Sequence, residues 1–134
     1  MKKYPPIIAG IVLGALFIFA SVVVLFNLIQ GPPPPEGSPM AMFFGAIATT
    51  GYLTFIKICE LIGGILVAIP RTRNFGLLML GPIIVNILAF HIFIARDQWF
   101  LNPMVVLVVV LPLYLLWVER RRFAGLLATS ETAR

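Results

Sequence analysis

Charged residues are scarce in this 134-residue chain, at 11% of the total, whereas hydrophobic residues make up 60%. The mean hydropathy of +1.04 lies far outside the range of a soluble globular domain. This shortage of charge predicts an integral membrane protein that carries no soluble domain. The length suits a single membrane domain over residues 1–134, with about four spanning helices.

Cysteine and histidine each occur once, as Cys59 and His91. A single cysteine excludes an internal disulfide and the paired thiols of a dithiol–disulfide oxidoreductase. A single histidine argues against a b-type haem, which needs two axial ligands unless a dimer or a methionine supplies one. The sequence also lacks a metal-ligand cluster, a nucleotide-binding loop and a serine-type triad. Whether the chain is an enzyme stays open, and we expect no catalysis by this chain alone.

Four apolar runs predict an all-α, four-transmembrane-helix bundle, because backbone groups in hydrocarbon must bond internally. The spans are predicted at Ile7–Leu28, Tyr52–Ile69, Phe75–Ile94 and Pro103–Val118. We expect the first run to be a retained signal anchor, because it is too long for the apolar region of a signal peptide. Its long connection to the second run opens with four prolines. Ser38–Pro39 then predicts a short extra helix over Met40–Ala48, at the membrane surface or dipping into the bundle.

Capping residues indicate where the later helices begin and end. Asn102 and Pro103 form an N-cap and N1 pair for the fourth span, and Asn74 is a predicted cap for the third. Pro70 ends the second span at the short connector Arg71–Asn74. Such a tight connection predicts that the second and third helices are antiparallel neighbours.

The basic residues predict the orientation, because Lys and Arg accumulate on the cytoplasmic side of membrane proteins. In a four-span protein one side carries Lys2, Lys3, Arg71, Arg73, Arg120, Arg121, Arg122 and Arg134, and the other carries Arg96. We therefore predict a multi-pass protein of the plasma membrane (the bacterial inner membrane), with the N-terminus and C-terminus cytoplasmic. The net charge of +5 is explained by these flanks, so we expect no nucleic-acid partner.

Polar side chains interrupt the second and third spans at matching depths. At ~1.5 Å per residue, Glu60 and Asn86 lie ~12 Å from the outer ends of their helices, Lys57 ~8 Å and His91 ~5 Å. This match predicts a polar core in the outer half of the bundle, with Asn86 near Glu60. Lys57 and Glu60 are ~60° apart and can both face inward, whereas Asn86 and His91 are ~140° apart and cannot point at one spot.

Each of these residues has a structural and a functional interpretation. Lys57 can reach the outer interface, and Glu60 can be held by a salt bridge or hydrogen bond inside the bundle. Asn86 can join helices, or compensate for the helical hydrogen bond that Pro82 removes. His91 can bind a proton or a ligand. Cys59 is most simply a small buried apolar residue. The small residues Gly63, Gly64 and Ala68 are most simply a close-packing surface.

The chain resembles the DoxX family of small four-helix membrane proteins. The residues that carry the resemblance are Gly51-Tyr52, Lys57, Glu60, Gly64, Pro70-x-x-Arg73, Pro82, Asn86 and Phe90-His91. They cover about residues 40–95 in detail, and the four-span layout covers the whole chain. The resemblance implies a membrane redox role, since some members resemble subunits of thiosulfate:quinone oxidoreductase and others act beside oxidative-stress enzymes. It also implies that Glu60, Asn86 and His91 are the positions that matter, and it supplies no catalytic mechanism.

Three functions fit these observations. The first is a non-catalytic accessory subunit of a redox-type membrane complex, with a quinone-like or other small apolar ligand near Glu60 and His91. The second is a small proton-coupled transporter that uses Glu60, Lys57 and His91 as relays. The third is a purely structural or assembly protein. In each case we expect the partners to be the lipid bilayer and other membrane proteins or a second copy, without a metal.

Overall fold

The computed structural model describes residues 4–132, with side chains described as far as residue 126. Helices are the regular secondary structure of this part of the chain, which contains no strand. Its α-helices are α1 (Tyr4–Leu25), α2 (Pro39–Thr49), α3 (Tyr52–Ala68), α4 (Arg73–Ala89), α5 (Pro103–Val118) and α6 (Arg120–Thr132). Short 3-10 turns cover Pro70–Thr72 and Trp99–Leu101, and a π-helix covers Phe90–Ala95. The prediction of an all-α fold is confirmed.

Within residues 4–132, two helices are long and apolar enough to cross a membrane. They are α1, with 22 residues, and the continuous helical run Pro70–Ala95, with 26. Two further pairs qualify when each bent pair is taken as one span: α2 with α3, bent by 81°, and α5 with the start of α6, bent by 76°. Length and composition therefore give two to four spans.

The core lies where α1, α3, α4 and α5 meet. Leu13 and Phe17 from α1 pack there with Val67, Leu80 and Leu115 from the other three helices, and all five are buried. Helix α3 is central, because it contacts α1 on one side and α4 on the other. Helix α5 closes the bundle against α1 and α4.

Glycines allow α1, α3 and α4 to approach until their backbones touch. A Cβ atom added to Gly14 would lie 2.5 Å from the carbonyl oxygen of Gly64, and one added to Gly76 would lie 2.5 Å from the amide nitrogen of Val67. Ala68 packs on Gly14, and Gly63 packs on Leu80. The predicted close-packing surface of Gly63, Gly64 and Ala68 is therefore confirmed.

Several predicted boundaries match the structure because local capping sets them. The short helix α2 begins behind Ser38, whose Oγ accepts a hydrogen bond from the Ala41 amide at 3.2 Å. Helix α5 covers the predicted range, and Asn102 Oδ1 accepts from the Met104 amide at 3.0 Å. Helix α3 starts at Tyr52 as predicted and ends one residue early, at Ala68.

Other boundaries differ from the prediction. Helix α1 begins at Tyr4, because Pro5 and Pro6 fit in a first helical turn, and it ends at Leu25 before Asn27 adopts a φ of 52°. Asn74 does not cap α4. The 3-10 turn that starts at Pro70 leads directly into the helix at Arg73, so Asn74 already lies inside the first turn.

The third predicted span and the C-terminal end also differ. The α-helical part of the third span stops at Ala89, and the chain continues as the π-helix. Helix α6 was not predicted; it continues the chain beyond the bend at Glu119. Lys2, Lys3 and Arg134, which contributed to the predicted orientation, lie outside the described residues.

We predict that Gly14→Ala destabilises the bundle, whereas Gly81→Ala in α4 does not. The new methyl group at position 14 would overlap the Gly64 carbonyl, whereas nothing lies within 4 Å of a Cβ at position 81. Overpacking of this kind costs roughly 1–3 kcal/mol. Thermal unfolding of the two purified variants in the same detergent checks this. Equal midpoints for the two variants would contradict close packing at Gly14.

Candidate functional site

All four residues of the predicted polar core line one cavity. The cavity has a volume of about 590 Å³ and lies between α2, α3, α4 and the π-helix; we name it the front cavity. Its walls include Lys57, Glu60, Asn86 and His91 among mainly apolar and aromatic side chains. This volume falls within the roughly 300–1,000 Å³ of small-molecule sites, which combine apolar walls with a few polar groups.

Lys57 and Glu60 form an ion pair within one turn of α3. Lys57 Nζ donates a hydrogen bond to Glu60 Oε2 at 2.8 Å, with side-chain exposures of 17% for Lys57 and 4% for Glu60. The expected salt bridge for Glu60 is therefore confirmed, and the Lys57 ammonium group is turned toward Glu60. Each member of such a buried pair needs the other, because a buried charge without a partner destabilises the folded protein.

Asn86 lies on the opposite wall of the front cavity and bonds within its own helix. Its Nδ2 donates to the carbonyl oxygen of Pro82 at 3.1 Å. Asn86 and Glu60 border the same cavity, as depth matching predicted, but no described hydrogen bond joins them. The amide therefore supports the helix near Pro82 and leaves its other donor for the cavity.

His91 pairs with Asp97, a residue that was not among the predicted site residues. His91 Nδ1 lies 2.9 Å from both carboxylate oxygens of Asp97. Arg96, with a φ of 51°, ends the π-helix and turns the chain. Asp97 could not be found from helical spacing, because that turn sets its position.

Asn86 and His91 both line the front cavity, which is wide enough to include two side chains that point in different directions. Asn86 lies in α4 and His91 in the π-helix, and their side chains bond to different partners, the Pro82 carbonyl and the Asp97 carboxylate. That the two cannot face one spot stays a prediction.

Helix α2 forms one wall of the front cavity and is held by aromatic contacts. The ring of Phe90 lies 5.2 Å from that of Phe43 and 5.4 Å from that of Phe44, and it contacts His91 edge-on at 5.4 Å. None of the residues of α2, all of which are described, is buried. Glycines with positive φ stand on either side of it, Gly37 at 78° and Gly51 at 81°.

A second, smaller cavity lies behind the ion pair. It has a volume of about 140 Å³ between α1, α3, α4 and α5, and we name it the rear cavity. Lys57, Glu60 and Ile87 border both cavities. The other residues of the rear cavity are all apolar: Leu16, Phe17, Ala20, Met104, Val105 and Val108. The ion pair therefore stands in the partition between an aromatic cavity and an aliphatic one.

A second charged cluster lies where α4 begins and α5 bends into α6. Arg73 is 5% exposed, and its Nη1 is 3.7 Å from Glu119 Oε1, while Arg122 Nε is 3.3 Å from Glu119 Oε2. Arg73 Nε and Nη2 and Asn74 Oδ1 are buried without a described partner. The sequence analysis used Arg73 as a topology signal and as part of the connector that carries the family resemblance. Nothing in the local pattern places Arg73 against Glu119.

Cys59 is free and lines the front cavity, and the described residues contain no group of three potential metal ligands. The site combines the Lys57–Glu60 ion pair, the contact of His91 with Asp97, one amide and several aromatic rings around an apolar space. Such walls can hold a flat, mainly apolar molecule and donate hydrogen bonds to a few acceptor atoms.

Comparison with known proteins shows that the chain is similar to the uncharacterized protein YwoB of Bacillus subtilis (strain 168). The two are 35% identical over 75 residues, which is 56% of this chain and 47% of YwoB. The matched part thus spans about half the length of that relative. No protein-family model matches the chain, and no solved structure matches it. The resemblance to the DoxX family stays a prediction.

We predict that Lys57→Met destabilises the protein by roughly 3 kcal/mol, the cost of leaving a buried charge without its partner. Adding Glu60→Leu should restore most of the loss, because replacing both charges by apolar groups removes the unpaired carboxylate. Denaturant or thermal unfolding of both variants in one detergent measures this. Simple additivity of the two changes would show that the ion pair does not couple them.

Proposed function

We propose that this chain is a four-span membrane protein of the DoxX type that binds a quinone-like ligand in the front cavity. In this proposal it acts as a non-catalytic accessory subunit of a redox-type complex in the bacterial inner membrane. The observation that carries the proposal is the convergence of Lys57, Glu60, Asn86 and His91 on one apolar cavity of about 590 Å³.

Several features support the four-span arrangement. Each of the two bent helix pairs passes the test of length and hydropathy when it is taken as one span. With four spans, the 3-10 turn at Arg71 and the bend at Glu119 share one side, and the loop at Asp97 faces the other. The excess of Lys and Arg on the first side then favours cytoplasmic termini. The similar protein YwoB is bacterial, in keeping with an inner-membrane location.

The chemistry of the walls favours a ligand with a flat ring and carbonyl acceptors. Lys57 Nζ and Asn86 Nδ2 each use one described hydrogen bond and retain donors for a ligand. His91 engages Asp97 through Nδ1, which leaves Nε2 for another partner. Phe43, Phe44 and Phe90 offer aromatic faces for ring packing. A quinone combines these needs with an apolar body suited to a membrane.

The accessory role follows from what the residues can do. They can bind a ligand, orient it and supply protons to it. The partner would supply the redox centre. Many apolar side chains stay exposed, for example Ile8, Phe19, Phe75 and Val85, and they can contact lipid or a partner subunit.

We predict that Asn86→Leu and His91→Phe each weaken quinone binding by roughly threefold to tenfold, the effect of one lost hydrogen bond. The control is Val85→Ala, because Val85 is exposed on α4 and borders neither cavity. Titration of protein in lipid nanodiscs with decylubiquinone, followed by tryptophan fluorescence, measures the affinity.

Other results would favour the other functions. Proton or solute flux in liposomes that is lost in Glu60→Gln would favour a proton-coupled transporter. No quinone binding and no flux, with His91→Phe and Glu60→Gln changing only expression, would favour a structural or assembly protein. Co-purification in mild detergent then identifies the partner in either case.

We also predict the sidedness of single cysteines introduced in a Cys59→Ser background. Glu36→Cys and Gln98→Cys should react with a membrane-impermeant maleimide in cells with a permeabilised outer envelope. Arg71→Cys and Glu131→Cys should react only after the inner membrane is opened. Labelling of positions 36 and 98 from opposite sides would contradict four spans.

A further inference from the structure

The Lys57–Glu60 pair separates the front cavity from the rear cavity. An ion pair that only stabilised α3 would not have to lie between two cavities. Lys57, Glu60 and Ile87 border both spaces, and Ile87 is the apolar member of the three. Anything that moves Lys57 within the front cavity therefore changes the environment of Glu60 in both cavities.

Glu60 depends on Lys57 alone for its charge. Within the residues whose side chains are described, its one hydrogen bond and one ion pair are both with Lys57. The rear cavity offers it only apolar neighbours besides Lys57 and Ile87. Helix α2 contributes Phe43, Phe44 and Ile47 to the front cavity, which carry no charge. A buried carboxylate that loses its partner in such surroundings binds a proton.

Lys57 is the member of the pair that can move and keep its charge. Its side chain is 17% exposed against 4% for Glu60, and it lies one turn closer to the outer end of α3. Its flexible stem can carry the ammonium group toward the mouth of the cavity. The titratable groups facing this space are Tyr52, Lys57, Cys59 and Glu60 on α3 and His91 on the π-helix. His91 is already paired with Asp97.

We propose that ligand binding in the front cavity is coupled to proton uptake by Glu60. A carbonyl acceptor on the ligand takes the hydrogen bond of Lys57 Nζ, and Lys57 leaves Glu60. Glu60 then binds a proton that enters from water through the front cavity, so the site gains one positive charge and no covalent bond changes. This inference rests on the proposed ligand site and adds to it the regulation of that site by pH.

The sign of the pH dependence follows from the proton balance. A complex that holds one proton more than its separate components becomes tighter as the pH falls. The affinity should therefore rise about tenfold for each unit of decrease in pH, with an uptake of about one proton per ligand.

The experiment titrates the full-length protein in nanodiscs with decylubiquinone between about pH 5 and pH 8, a range in which native proteins are generally stable. Proton uptake is read with an indicator dye in weak buffer. Wild type should show both the pH-dependent affinity and the proton uptake. Glu60→Gln, which imitates the protonated carboxyl group, should bind the quinone at every pH with no proton uptake. His91→Gln should bind the quinone more weakly, as predicted for His91→Phe, but should keep the proton uptake per bound quinone, because His91 is not the acceptor.

The outcomes separate this inference from the proposed function. Quinone binding that is independent of pH and takes up no proton overturns the coupling but leaves the ligand site in place. Loss of uptake in His91→Gln with retention in Glu60→Gln assigns the proton to His91 and also overturns it. Absence of quinone binding in wild type and in Glu60→Gln, both folded by circular dichroism, removes the ligand site and the coupling together.

Discussion

The direct contact of helix backbones at glycine is the constraint on which the rest of this structure depends. Gly14 lets α1 lie against the carbonyl of Gly64, and Gly76 lets α4 lie against the amide of Val67. Because α3 is held by α1 and α4 at these contacts, the orientation of its preceding turn is set as well. Glu60 lies in that turn and points into the bundle, with 3% exposure. In a bilayer, where burial of apolar groups gives little preference for protein over lipid, such close packing is the main available driving force.

An ion pair made within one helix suits this arrangement. Lys57 and Glu60 are three residues apart, so their pairing requires no other helix to be placed correctly. The other helices can then shape the space around the pair: α2 and the π-helix on the front side, α1 and α5 on the rear side. The contact between Arg73 and Glu119 differs, because it joins α4 to the bend between α5 and α6 and therefore depends on tertiary packing.

Most of the helices and the polar core could be predicted because local rules set them. Hydrophobic runs determine the ranges of α3 and α5, and Ser38 and Asn102 cap the first turns of α2 and α5. The matching depths of Glu60 and Asn86 along their helices predict that both line one cavity. Features that depend on backbone departures from the α-helix were missed. His91 lies in the π-helix, and the left-handed turn at Arg96 brings Asp97 to His91. No periodicity in the sequence marks either event, and the pairing of Arg73 with Glu119 is equally non-local.

Helix α2 has a consequence for the geometry of the front cavity. Gly37 and Gly51 flank α2, both with positive φ, and no atom lies within 4 Å of a Cβ added to either of them. Three of the cavity's sides belong to packed helices, but the side formed by α2 is positioned by the contacts of Phe43 and Phe44 with Phe90. Contacts between phenyl rings thus set the dimensions of the front cavity on that side. A larger ligand can be accommodated there without disturbing the glycine contacts between α1, α3 and α4.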